Sequence, residues 1–189
     1  MTAIILAGGK SSRMKQDKGL ILLQGKMMIE HIIEKAKEVT ESIIIITEDP
    51  AYLQFGLPCF ADTFPGKGPL AGIYSGLLHS STVKNLVLGC DTPFLSGRIL
   101  AALRDHCDTE DALVTEHNGK AEPLCAVYDR SCIPHFRKAL EAERLKITVA
   151  LQGLKTVYIS FDREDWMTKE LFANINTPEE LNEYRNLNK

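Results

Sequence analysis

Short apolar runs alternate with longer amphipathic ones along most of this chain. Ala3–Ala7 is apolar at every position, which predicts a buried strand. Met27–Val39 sets Met28, Ile32, Ala36 and Val39 three or four residues apart, the spacing of a helix with one apolar face. Ser42–Thr47 is β-branched through its centre and predicts a second strand. Cys59–Ala61 is a short strand at best. Leu70–Ser80 reads as a helix, with Pro69 in the first turn, where its missing N–H is tolerated. Asn85–Cys90 is another buried strand, and a helix from Ser96, its N-cap, to Cys107 follows.

The second half continues the alternation less cleanly. Ala112–Glu116 and Cys125–Tyr128 predict two strands around Asn118-Gly119, a strong hairpin signal. Helices are expected over Cys132–Glu143 and Thr148–Gln152, and a strand over Thr156–Ser160. Thr177–Tyr184 predicts a closing helix, with Thr177 as N-cap, Pro178 next and Glu180 completing a capping box. Strands alternating with helices predict an α/β fold of three layers, a mostly parallel central sheet covered on both faces. In such sheets ligands sit at the carboxyl ends of the strands.

Composition narrows the function. The chain has 189 residues, 44% of them hydrophobic, which suits one domain with a full core. Its formal charge of -3 gives no basic excess, so nucleic acid is not an expected partner. The 5 cysteines form no C-x-x-C pair, so free thiols are expected rather than zinc or a disulfide framework. The first apolar run is too short for a signal peptide, and Ile43–Ile46 is far too short to span a bilayer. A soluble, cytoplasmic protein without membrane contact is expected.

Against that acidic background the first loop stands out. The strand ending in Leu6-Ala7 runs into Gly8 and Gly9, then Lys10, Arg13, Lys15 and Lys18. Backbone donors beside four cations suit a polyphosphate. The common glycine loops do not fit. A P-loop needs glycine where Ile4 stands, and in Gly66-Lys67-Gly68-Pro69-Leu70-Ala71 the proline removes a donor that a dinucleotide-binding turn needs. Asp91 follows the strand Leu86–Cys90 and precedes Thr92-Pro93, a place suited to holding Mg2+ through few protein ligands. Asp62 precedes a Gly/Pro-rich segment, including Gly68, Pro69 and Leu70, whose backbone suits a base pocket. Asn174 and Asn176 alternate in an extended segment and offer donors and acceptors to a polar heterocycle.

Four segments together resemble the molybdenum cofactor guanylyltransferases. They are Leu6-Ala7-Gly8-Gly9-x-Ser11-x-Arg13-Met14-x-x-Asp17-Lys18, Gly68-Pro69-Leu70-Ala71-Gly72, Cys90-Asp91-Thr92-Pro93 and Asn174-Ile175-Asn176-Thr177-Pro178. They follow that family's order across nearly the whole chain. The resemblance implies a nucleotidyltransferase, Rossmann-like fold. It also implies transfer of GMP from GTP to molybdenum-molybdopterin, with Mg2+ as cofactor. By position, Leu6, Ala7, Gly8 and Gly9 would contact the nucleotide, Lys18 the triphosphate, Asp62 the nucleotide site and Asp91 the metal. Asn174 and Asn176 look like acceptor-side positions. Arg13 and Lys18 would stabilise charge building on the pyrophosphate.

The resemblance implies a single domain over residues 1–189, with a nucleotide-binding half over about 1–108 and an acceptor-binding half over about 109–189. Two positions depart from the family's pattern. Lys15 stands where glycine is usual, and Thr47 where asparagine tends to help bind the nucleotide. Alternatives are a relative using CTP or another phosphorylated acceptor, favoured less by the Leu-Ala-Gly-Gly order, and a GTP-binding protein without catalysis. Molybdenum-insertion and molybdoenzyme chaperone proteins are the expected partners for a labile product.

Overall fold

The computed structural model describes residues 1–8 and 17–185. The chain begins with β1 (Thr2–Leu6), a small hairpin of β2 (Leu22–Leu23) and β3 (Lys26–Met27), α1 (Met28–Lys37), β4 (Ile43–Ile46) and β5 (Cys59–Phe60). It continues with α2 (Pro69–His79), β6 (Lys84–Gly89), α3 (Gly97–His106), β7 (Ala112–His117) and β8 (Lys120–Asp129). It closes with α4 (Ile133–Glu141), α5 (Ile147–Ala150), β9 (Thr156–Ser160) and α6 (Pro178–Arg185).

The layers follow from the two-residue period of the strands. Ala3, Ile5, Ile43, Ile45, Leu86 and Leu88 face one side and pack on α1 and α3. Ile4, Leu6, Ile44, Ile46 and Val87 face the other and pack on α2, α4 and α5. Apolar side chains on both faces explain why these strands read as continuous apolar runs. Gly76 of α2 lets its helix lie close on β1, since a Cβ there would overlap the Ile4 side chain.

One sheet of seven strands, in the order β5-β4-β1-β6-β8-β7-β9, crosses both halves of the chain. Strand β8 pairs antiparallel with both β6 and β7, while every other neighbouring pair is parallel. The fold is thus the expected three-layer α/β arrangement with a mostly parallel sheet.

Several elements differ from the sequence reading. Strand β8 begins at Lys120, not Cys125. Pro123 lies inside this strand. The register slips between Val114 and Thr115, from Val114 opposite Ala126 to Thr115 opposite Glu122, and this bulge accommodates the proline. The β2–β3 hairpin and a 3-10 turn at Pro50–Phe55 carried no strand or helix signal. A third small cluster joins Ile21, Leu23 and Met28 to Ile175 and Leu181, with Phe94 and Tyr184 packed against it. That cluster fastens residues 21–28 to the last segment of the described chain.

Candidate functional site

The carboxyl ends of β1, β4, β5 and β6 lie side by side because these strands are parallel and adjacent. Backbone pairing continues to the rim. Ala7 N donates to Ile46 O at 3.0 Å, Thr47 N to Phe60 O at 2.8 Å and Cys90 N to Leu6 O at 3.2 Å. Gly8, the next residue along, is exposed. Leu6, Ala7, Gly8, Thr47, Asp62 and Asp91 therefore share one edge of the sheet. Gly9, Arg13 and Lys15 lie outside the described residues.

Lys18 opens a 3-10 turn, Lys18–Leu20, capped by Asp17. Its ammonium donates to Asn176 Oδ1 and stands 3.7 Å from Asp91 Oδ2. Lys18 and Asp91 keep 23% and 26% of their side-chain surface exposed, so the pair is open to a ligand. Backbone geometry brings Asn176 there. Ile175 is fully buried, and its N–H donates to Asp91 O at 2.9 Å. Glu180 accepts from the N–H groups of Asn176 and Thr177 at 2.6 and 3.0 Å, while Thr177 Oγ1 accepts from Glu180 N at 3.2 Å. The capping box read in the sequence thus also fixes the backbone at Asn176. Asn174 is exposed and lies outside this cluster.

Two oxygens, Asp91 Oδ2 and Asn176 Oδ1, converge on the Lys18 cation. They are hard donors of the kind that Mg2+ takes, and the ammonium between them marks a position that favours positive charge. Among the described residues, no group of three or more His, Cys, Asp or Glu side chains is gathered around one point.

Asp62 is placed differently. Its Oδ1 accepts from Ser75 Oγ at 2.9 Å and from Phe64 N at 3.0 Å, and Ser75 Oγ accepts from Thr63 N at 2.8 Å. One carboxylate oxygen therefore shapes the turn that leads towards α2. Gly68 adopts φ +73°, a conformation natural to glycine, before Pro69 starts the helix. Leu70 is fully buried in the core, so only its backbone is available at this edge. Thr47 is 7% exposed, and its Oγ1 accepts from Asp49 N at 3.1 Å, so the hydroxyl already serves a turn.

Two residues at this end escaped the sequence reading. Tyr52 is fully buried and donates through its hydroxyl to Asp17 Oδ1. A tyrosine after Asp-Pro-Ala carries no local signal of that contact. Glu122 is half-buried near the hairpin end, and its carboxylate has no hydrogen-bond or ion-pair partner among the described residues. Burial raises its pKa, with the negative charge of Asp91 adding to the rise and the charges of His117 and Lys120 opposing it. A Glu-Pro pair beside a hairpin turn was the available hint.

The MobA-like NTP transferase domain model matches residues 3–157. The chain belongs to this family. A Flavobacterium johnsoniae protein named probable molybdenum cofactor guanylyltransferase is 36% identical over 184 residues, covering 97% of this chain and 95% of that one. A Vibrio vulnificus protein named molybdenum cofactor guanylyltransferase is 34% identical, with 97% and 94% covered. Among solved structures, molybdopterin-guanine dinucleotide biosynthesis protein A from Archaeoglobus fulgidus superposes with a TM-score of 0.80 at 28% identity, covering 98% of this chain and 97% of that one. Among the described residues of this family member, no helix is long and apolar enough to cross a membrane.

Proposed function

We propose that this protein transfers GMP from GTP to molybdenum-molybdopterin, forming the molybdopterin guanine dinucleotide cofactor and pyrophosphate. The observation that carries the reading is the meeting of Lys18, Asp91 and Asn176 at the carboxyl edge of the sheet. These residues come from three of the four segments that resemble the guanylyltransferases, and near full-length relatives bearing that name add their weight.

A terminal phosphate oxygen of the acceptor attacks the α-phosphorus of GTP. The bond from the α-phosphorus to the bridging oxygen breaks, and pyrophosphate leaves with that electron pair. Both reactants are anions, so alignment and charge neutralisation make up most of the barrier. The backbone of Leu6, Ala7, Gly8 and Gly9 receives the nucleotide. Arg13 and Lys18 hold phosphate oxygens and stabilise charge on the departing group. Asp62, through the oxygen not bonded to Ser75, accepts from the nucleoside. Thr47 and the backbone of Gly68, Pro69 and Leu70 border the base. Asn174 and Asn176 face the acceptor. Asp91, with the Asn176 amide oxygen close by, would hold Mg2+, which when bound neutralises phosphate oxygens. Residues from about 109 onward form the acceptor half, in a cytoplasmic protein that hands its labile product to molybdenum-insertion or molybdoenzyme chaperone proteins.

Pyrophosphate release with molybdenum-loaded molybdopterin, Mg2+ and either GTP or CTP tests the reading. Release with GTP alone is expected. Release with CTP alone would overturn the base assignment, and binding of GTP without release would overturn the transfer.

A further inference from the structure

Tyr52 has a place in the molecule that filling the core does not explain. It comes from the 3-10 turn Pro50–Phe55 after β4, and its ring is fully buried beside the first apolar cluster. A buried tyrosine hydroxyl needs a hydrogen-bond partner, and a backbone carbonyl commonly supplies it. Here the partner is the carboxylate of Asp17. The same oxygen, Asp17 Oδ1, also accepts from Gly19 N at 3.0 Å.

Lys18 is the residue between those two anchors. Asp17 O accepts from Leu20 N at 3.2 Å, and Lys18 O from Ile21 N at 3.1 Å, so the turn is closed on both sides of the lysine. Gly19 is matched to the tyrosine, since a Cβ there would overlap the Tyr52 hydroxyl. Cys90, the neighbour of Asp91, belongs to the same buried apolar cluster as Tyr52. The phenol thus lies against the turn that carries Lys18.

We propose that Tyr52 is a positioning residue for Lys18. Its hydroxyl, acting through Asp17, fixes the backbone on both sides of Lys18 so that the ammonium reaches Asp91 and Asn176. This rests on the reading of Lys18 as the triphosphate contact. Burial, first of all, pushes the phenol pKa up, so the hydroxyl keeps its proton and remains a donor across the physiological range.

The test is a double-mutant cycle with Tyr52→Phe, Lys18→Ala and the combined variant, read as kcat/KM for pyrophosphate release from GTP. Tyr52→Phe is expected to lower kcat/KM about tenfold when Lys18 is present, a part of the ~10²-fold loss that an ångström of misplacement brings. It should cause no further loss in the Lys18→Ala background. Equal losses in both backgrounds, or none in the first, would overturn the proposal. A second readout does not depend on catalysis. In 15N-lysine-labelled protein the Lys18 ammonium signal, identified by its absence in Lys18→Ala, should move towards that of a free lysine in Tyr52→Phe. An unmoved signal counts against the positioning role. Wild-type protein that releases no pyrophosphate would sink the functional reading while this signal still decides the role of Tyr52. If Tyr52→Phe does not fold, Asp17→Asn weakens the same link, and the same two readouts apply to it.

Discussion

Asp62 and Asp91 each follow a strand end at the same edge of the sheet, yet their surroundings give them different work. Asp62 Oδ1 is held by Ser75 and by the backbone of Phe64, so half of the carboxylate belongs to the loop. The Asp91 side chain meets one described partner, the Lys18 ammonium, at 3.7 Å across an open surface. The first aspartate mainly shapes the turn that leads towards α2. The second keeps its charge available to a ligand. A residue type at a strand end therefore says where chemistry can occur, and its hydrogen bonds say whether it is already committed elsewhere.

The largest expected effect is at the uncommitted carboxylate. Asp91→Asn should abolish Mg2+-dependent pyrophosphate release, and retained release would place the metal elsewhere. Lys18→Ala should lower turnover by about 10²-fold or more, the scale of one lost transition-state charge contact. Near-normal turnover in steady-state assays would remove Lys18 from the mechanism. Asp62→Asn keeps an oxygen for Ser75 and Phe64, so folding should survive. Nucleotide affinity, measured by calorimetry, should fall roughly two- to tenfold, the scale of one hydrogen bond. A loss of turnover as deep as that of Asp91→Asn would erase the contrast between the two aspartates.

The smallest effect is expected at Glu122. Its raised pKa means that the folded state disfavours the charged form, first through burial. The penalty is full above the raised value and absent below the ordinary carboxylate range near 4.3. Glu122→Gln should therefore raise the melting temperature slightly at pH 7. The gain should shrink to nothing as pH falls through that window. A gain that is independent of pH would point to packing instead of charge.

The central strands were legible because both faces are buried, which leaves unbroken apolar runs such as Ile43–Ile46. Strand β9 was read at its observed bounds, and the Asn118-Gly119 turn carries the positive φ values, +51° and +69°, that such a hairpin asks for. The first part of β8 was hidden because its proline is tolerated only through a bulge, and a bulge depends on the neighbouring strand. The positions of Asp91 and Asn176 could be picked out from local spacing and family likeness. Their meeting through Lys18 could not, because it depends on the third apolar cluster drawing Ile175 against Ile21, Leu23 and Met28. Tyr52 was missed for the same reason, since its partner Asp17 is 35 residues away in sequence.

The contact between Lys18 and Asn176 spans 158 residues, and this gives the protein a timetable. Synthesis delivers β1, β4 and β6 early, and folding during translation tends to proceed from the N-terminal side. The amide that completes the charge cluster leaves the ribosome long after the lysine it meets. A partly made copy can thus build the first parallel strands while the triad of Lys18, Asp91 and Asn176 is still open. Completion of the site is tied to completion of the sheet's last neighbours, so a truncated product carries the scaffold without the finished centre.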